Sequence, residues 1–198
     1  MPPSSPAPGP SSRKLPNIVV TGTPGTGKTS HAQAFLEACP WRYTHLNVGE
    51  IVKEKGCHEG WNEEWQSYDV DDDRLLDELE SHVEQGGKLI DWHSCEIFPE
   101  RWVDLVIVIR CDHSKLWERL EKRGYPLKKI QENNEAEIMQ TVLEEARSAY
   151  TEEIVVELRG ETPDEMESNV ERMVLWVRNW RKERGLSEDS TEEELQAV

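Results

Sequence analysis

Short apolar runs alternate along this chain with stretches whose apolar positions recur every three or four residues. The runs predict strands at 17–21, 42–46, 88–91, 104–110 and 153–158. The helical periodicity predicts helices at about 28–38, 48–55, 73–85, 113–123, 134–151 and 163–183. Gly86-Gly87 is a stop for the third helix. The last one opens on "TPDE", with Thr162 as N-cap, Pro163 at the first helical position and Glu165 closing a capping box. Its apolar positions Met166, Val170, Met173, Val174, Val177 and Trp180 fall on one side and read as a core-packing stripe. No internal repeat is present. Strands alternating with helices imply an α/β sandwich around a mostly parallel sheet, with ligands at the carboxyl ends of the strands. Residues 22–29 fall at such an end.

At 198 residues the chain is read as a single domain. The longest apolar run, "VDLVIVI" at 103–109, is strand-sized, so no membrane span is expected. The N-terminus "MPPSSPAPGPSSRK" is Pro/Ser-rich without the apolar core of a signal peptide, and 1–14 is expected to be a disordered tail. The four cysteines, Cys39, Cys57, Cys95 and Cys111, lack metal-site or disulfide-framework spacing. Scattered thiols in a reducing compartment, cytosol or nucleus, are the expectation. Net charge is −17, which disfavours general nucleic-acid binding and favours a basic protein partner. Two acidic stretches contribute: "DVDDDRLLDELE" at 69–80 inside the body, and a C-terminal tail, 184–198, expected to be disordered.

The stretch "GTPGTGKT" matches G-x-x-x-x-G-K-[ST] through Gly22, Gly27, Lys28 and Thr29. Glycines let successive N–H groups point inward as an anion nest, and the following helix adds its positive dipole end. Lys28 can reach β- and γ-phosphates, and the Thr29 hydroxyl suits Mg²⁺. By chance this pattern occurs in on the order of one per cent of chains this long, and here it also has the strand before and helix after that it requires. Triphosphate binding is therefore expected, with Gly22, Gly25, Thr26, Gly27, Lys28, Thr29 and Ser30 as the phosphate-binding set.

Three further blocks carry chemistry. "LIDWH" at 89–93 ends a strand on Asp91, placed as a Mg²⁺ ligand through water. His93 would share its side if the strand continued, although a structural histidine reads equally well. In "ERLEKRGYPLKKIQENN" Arg119 and Arg123 stand four apart, suited to a basic mobile cover over transferring phosphates; a solvated face paired with Glu118 and Glu121 is the plainer alternative. After the helix-forming "LNVGEIVKEKG", Trp61, Trp65 and Tyr68 either form a lip closing on an acceptor or pack internally.

Together these blocks resemble the nucleoside monophosphate kinases, and most closely the adenylate kinase isoenzyme 6 family, also called coilin-interacting nuclear ATPase protein. The carriers are "LPNIVVTGTPGTGKTS", "LNVGEIVKEKG", "DRLLDELE", "GGKLIDWHSCEIFPERW", "ERLEKRGYPLKKIQENNEAEI" and "EEARSAYTEEIV", spanning about 15–183. The resemblance implies a P-loop kinase fold, a three-layer sandwich with a five-stranded parallel sheet. It implies a monophosphate-binding segment near 47–70 and a short lid near 122–132, from which Arg123 contacts ATP. The implied activity is ATP:AMP phosphotransfer with ATPase activity, on ATP and Mg²⁺, with AMP or another nucleoside monophosphate as acceptor. A role in small ribosomal subunit maturation, in nucleus and cytoplasm, is implied too, with a basic small-subunit platform ribosomal protein and the pre-ribosomal particle as partners. Two departures stand out. Lys53 occupies the place where ordinary adenylate kinases carry an acceptor-binding arginine, and "DWHSC" replaces "DGFPR". A monophosphate acceptor is already ionised, so a histidine beside Asp91 is surplus to transfer and useful for orienting water in hydrolysis.

Overall fold

The computed structural model describes residues 13–186. Seven strands and seven helices follow in the order β1 (Ile18–Thr21), α1 (Lys28–Ala38), β2 (Thr44–Asn47), α2 (Val48–Lys55), β3 (His58–Asn62), β4 (Ser67–Val70), α3 (Asp72–Val83), β5 (Lys88–Asp91), β6 (Leu105–Arg110), α4 (His113–Lys122), α5 (Leu127–Ile138), α6 (Thr141–Ala149), β7 (Val155–Arg159) and α7 (Pro163–Glu183). Strands β2-β5-β1-β6-β7 form one parallel five-stranded sheet, while β3 and β4 make a separate antiparallel hairpin.

The pleat divides the apolar strand residues between two cores. Val19, Ile90, Val106 and Val108 face Val52, Leu75, Leu79, Leu143 and Ala146 of α2, α3 and α6. Ile18, Val20, Leu89, Ile107 and Ile109 face Ala32, Phe35, Val170, Met173 and Val177 of α1 and α7. Burial on both faces is why these strands read as near-continuous apolar runs. Strand β1 has β5 on one side and β6 on the other, so the chain reverses its winding beside β1 and opens a crevice at its carboxyl end. The capping box at Thr162 and Glu165 forms as expected.

The structure corrects several boundaries. The single helix expected at 134–151 is two, α5 and α6, turned at Gln140 (φ 60°). No Gly or Pro marks this break, so local propensity gives no warning. Packing decides it: Glu137 is held beneath the glycine-rich loop while Leu143, Ala146 and Tyr150 sit in the sheet core. The segment after α2 is a hairpin whose turn is an Asx-turn, Asn62 Oδ1 accepting from the backbone of Glu64 and Trp65. The expected N-terminal tail lies mostly outside the described residues. Its final part does not match a tail, because Arg13 is buried and its Nη1 lies 2.9 Å from Asp104 Oδ2, in an ion pair. The acidic tail lies outside the described residues from 187 onward, and Arg184–Leu186 instead close the end of α7 through bonds to Arg181 and Lys182 carbonyls. All four cysteines are free and buried. Among the described residues no helix is long and apolar enough to cross a membrane.

Candidate functional site

Strand β1 delivers the chain into the glycine-rich loop, and the backbone there is possible only for glycine. At Gly22 (φ 142°) an added Cβ would lie 2.4 Å from the Ile109 carbonyl oxygen; at Gly25 (φ 101°) it would lie 2.8 Å from the Leu116 and Leu120 side chains. Gly27 is the N-cap of α1 and has no side chain to offer, so the first turn of that helix is left for a ligand to cap. Thr26 is turned inward, its hydroxyl donating to the Thr23 carbonyl. Thr23 in turn donates to Glu137 (2.5 Å), a carboxylate that also receives Arg110 Nε (2.5 Å) and the Cys111 amide. Glu137 thus braces the loop from beneath. Its only sequence signal was an acid among helix-forming polar residues, which cannot be told from a solvated face.

Lys28 curls back over the loop and donates to the Gly22 (2.8 Å) and Thr23 (3.2 Å) carbonyls. Burial lowers its pKa to about 8, with Asp91 opposing and Arg123 adding to the fall. This is the resting position of an ammonium that phosphate oxygens would draw out. The Thr29 hydroxyl donates to Asp91 Oδ2 (2.6 Å), and His45 Nε2 lies 3.4 Å from the same oxygen. Asp91 closes β5 and is almost fully buried. Thr29 and Asp91 therefore meet as the two expected Mg²⁺ contacts. No group of three or more His, Cys, Asp or Glu among the described residues could hold a metal alone. A hydroxyl and one carboxylate beside a phosphate cradle fit Mg²⁺, which keeps waters and takes ligands from phosphates.

These groups line a cleft of about 790 Å³ shared with Ser30, Asn47, Trp61, Trp65, Tyr68, Trp92, His93, Arg123 and Lys129. β5 ends at Asp91, so His93 reaches the cleft from the following loop and not by strand alternation. Burial together with the charges of Lys28 and Lys129 lowers the His93 pKa to about 4, Asp91 opposing. The imidazole is neutral at pH 7. Trp61, Trp65 and Tyr68 line the cleft, and Tyr68 also packs against the core, so lining and packing coexist in the trio.

Arg119 and Arg123 separate. Arg123, at the end of α4, lines the cleft. Arg119 instead donates to the Gly25 and Thr26 carbonyls at 3.4 and 3.3 Å, and to the Gly160 and Glu161 carbonyls at 3.1 and 3.0 Å. It ties the loop after β7 to the back of the phosphate loop and is absent from the cleft lining. Residues four apart on a helix share a face only while the helix lasts, and Arg123 is where α4 ends. Residues 122–132 run from the end of α4 through a short turn into α5, whose Lys129, Glu132, Asn133 and Ala136 form one wall of the cleft. Lys53 is exposed and outside the cleft lining.

The first turn of α1 carries a further tie that the sequence did not reveal. His31 is buried; Nδ1–H donates to the Gly27 carbonyl (2.9 Å) and Nε2 accepts from Asn169 (3.2 Å). Burial lowers its pKa. His31 and His93 both stay neutral when folded, while an unfolded histidine takes its proton near pH 6.5. Stability of the ligand-free protein is therefore expected to be greatest above pH 6.5 and to fall as the pH is lowered towards 4. The loss is on the order of 1–3 kcal/mol, and urea midpoints between pH 7.5 and 5 measure it. A flat profile would refute the neutral assignment.

Comparison with known proteins gives a consistent picture. A family model described as an AAA domain matches residues 18–140. The "Adenylate kinase isoenzyme 6 homolog" of Schizosaccharomyces pombe is 55% identical over 170 residues, covering 86% of this chain and 96% of that protein. The protein of the same name from Dictyostelium discoideum is 48% identical, covering 85% and 95%. That from Caenorhabditis elegans is 43% identical, covering 83% and 90%. Among solved structures, a shikimate kinase from Bacteroides thetaiotaomicron superposes with a TM-score of 0.56 at 14% identity over 83% of this chain and 99% of its own. A gluconokinase from Sinorhizobium meliloti gives 0.50 at 18% identity, covering 85% and 98%. At such identities these two speak to the fold alone.

Proposed function

We propose, from the premise that this chain belongs to the adenylate kinase isoenzyme 6 family and is a P-loop nucleotide kinase or ATPase, that it transfers the γ-phosphoryl of ATP to AMP or a related nucleoside monophosphate and also hydrolyses ATP slowly. The observation that carries this reading is one cleft with two halves. One half is the phosphate cradle of Gly25–Ser30. The other, between α2, the hairpin and Trp92, has aromatic walls that would suit a second nucleotide.

The residues supply positioning and charge. The loop amides and Lys28 would hold the β- and γ-phosphates, and Arg123 would meet charge on the transferred group. Thr29 and Asp91 would hold Mg²⁺, which supplies neutralisation of phosphate charge when bound. An ionised acceptor needs no base, so its rate rests on alignment. The neutral His93 can accept a hydrogen bond from water, and this specific observation favours the hydrolytic side activity.

Incubation of the pure protein with Mg-ATP and AMP, GMP, CMP or UMP tests the transfer. Diphosphate of the added acceptor is expected well above the acceptor-free rate of ADP release. Equal rates with and without every acceptor would leave a nucleotide-dependent switch as the better reading. We further propose action in nucleus and cytoplasm on the pre-ribosomal particle, through a basic small-subunit ribosomal protein. The net charge of −17 supports it, although part of the 69–80 block has a local use: Asp71 caps α3 and Glu78 and Glu80 pair with Lys55 and Arg101. Pull-down of such a protein is expected to weaken as salt rises from 0.05 to 0.5 M, where screening shortens from over ~10 Å to under ~5 Å. Salt-insensitive binding would oppose it.

A further inference from the structure

Transfer between two nucleotides needs a cation for the acceptor's phosphate as well as for the donor's, and the residue at the expected place, Lys53, is exposed and outside the cleft. Among the described residues, the lysines and arginines lining the cleft are Lys28, Arg123 and Lys129. Lys28 lies in the phosphate loop, and Arg123 is close enough to lower its pKa, so both belong to the donor half. Lys129 enters from α5. Its ammonium donates to the Trp65 (2.7 Å) and Gln66 (3.2 Å) carbonyls at the hairpin tip and stands 4.8 Å over the Tyr125 ring.

We propose that Lys129 is the residue that receives the acceptor's phosphate, its ammonium passing from the hairpin-tip carbonyls to the phosphate oxygens when a monophosphate enters. This rests on the nucleotide kinase reading above. The partners in the ligand-free protein are neutral carbonyls, which leave the ammonium's charge unmatched, whereas a phosphate offers acceptor oxygens and the opposite charge together. The neighbouring Lys128 makes the contrast. It is ion-paired with Glu64 outside the cleft and stacked on Trp65, so its charge is already matched. Burial lowers the Lys129 pKa with no carboxylate offsetting it. Its field also reaches His93, as does that of Lys28, so both ammoniums stand near one histidine of the cleft. Lysine gives a single movable charge in place of an arginine fork, so orientation of the acceptor falls to the aromatic walls.

The plainer possibility is that Lys129 only clasps the hairpin to α5. Binding of AMP and of adenosine to the full chain, followed by tryptophan fluorescence and calorimetry, separates the two, since adenosine lacks the phosphate. Lys129→Met is expected to weaken AMP about 10–100-fold and leave adenosine nearly unchanged. Lys129→Arg should recover most of the AMP affinity. Lys128→Met, which loosens the same hairpin from outside, should change AMP affinity by no more than about twofold. Equal losses for AMP and adenosine, a Lys128→Met effect as large as that of Lys129→Met, or no AMP binding by the unaltered protein would each overturn the assignment. If AMP binds through Lys129 yet no ADP forms from it, the kinase reading fails and the assignment stands. If ADP forms and Lys129→Met binds AMP as before, the assignment fails and the kinase reading stands.

Discussion

Lys28→Ala is expected to cut both ATP hydrolysis and phosphoryl transfer by at least ~10²–10³-fold, the usual cost of losing one positioned charge-stabilising donor. The argument starts from where the ammonium lies. Bonded to the Gly22 and Thr23 carbonyls, it is already inside the loop that would surround the phosphates. Its pKa of about 8 leaves it mostly protonated at pH 7, and an incoming triphosphate strengthens the charged form. The fold should survive. The bracing of the loop runs through the Thr23 hydroxyl, Glu137, Arg110 and Arg119, none of which bonds the lysine Nζ; the ammonium meets Thr23 only at its backbone carbonyl. Turnover with Mg-ATP and a thermal melt on one preparation decide it. Wild-type turnover from a folded variant would sink the phosphate-cradle reading.

His93→Ala is expected to lower acceptor-free hydrolysis by ~10²–10⁴-fold, the range for a group that takes a proton from or orients water. Transfer to AMP should fall far less, because an ionised phosphate has no proton to surrender. ATP affinity should hardly change, since the loop amides, Lys28 and Thr29 carry it. The imidazole is neutral well below pH 7, which a water-orienting acceptor requires, and it lines the cleft within reach of Lys28's field. Both rates measured on one sample give the answer. Parallel losses would mean that His93 supports Asp91, two residues away, and does not orient water.

The phosphate loop was legible because its chemistry is local. A phosphate loop is a run of backbone amides, and the spacing of Gly22, Gly27, Lys28 and Thr29 reports that backbone directly. Asp91 could be named because a carboxylate closing a buried strand has few other uses. The aromatic side of the cleft was harder to read. The aromatic trio Trp61, Trp65 and Tyr68 was visible, but the hairpin that presents it turns on an Asx-turn without the Asn-Gly or Asp-Gly signal of tight hairpins. Arg119 and Arg123 looked equivalent by spacing, and only the end of α4 between them sends one behind the loop and the other into the cleft.

By itself, then, the sequence determined the alternation of strands and helices, the parallel sheet buried on both faces, and the phosphate loop at the end of β1. Each depends on contacts between near neighbours in the chain or on a periodicity that one element carries alone. Tertiary structure decided the rest: the break between α5 and α6, the burial of Arg13 on Asp104, the bracing by Glu137, the His31–Asn169 tie and the entry of Lys129 into the cleft. In these cases the partners lie far apart in sequence, 114 residues for Thr23 and Glu137 and 138 for His31 and Asn169. A buried polar group must find a partner wherever the fold brings one, and no local pattern of residues records which one that will be.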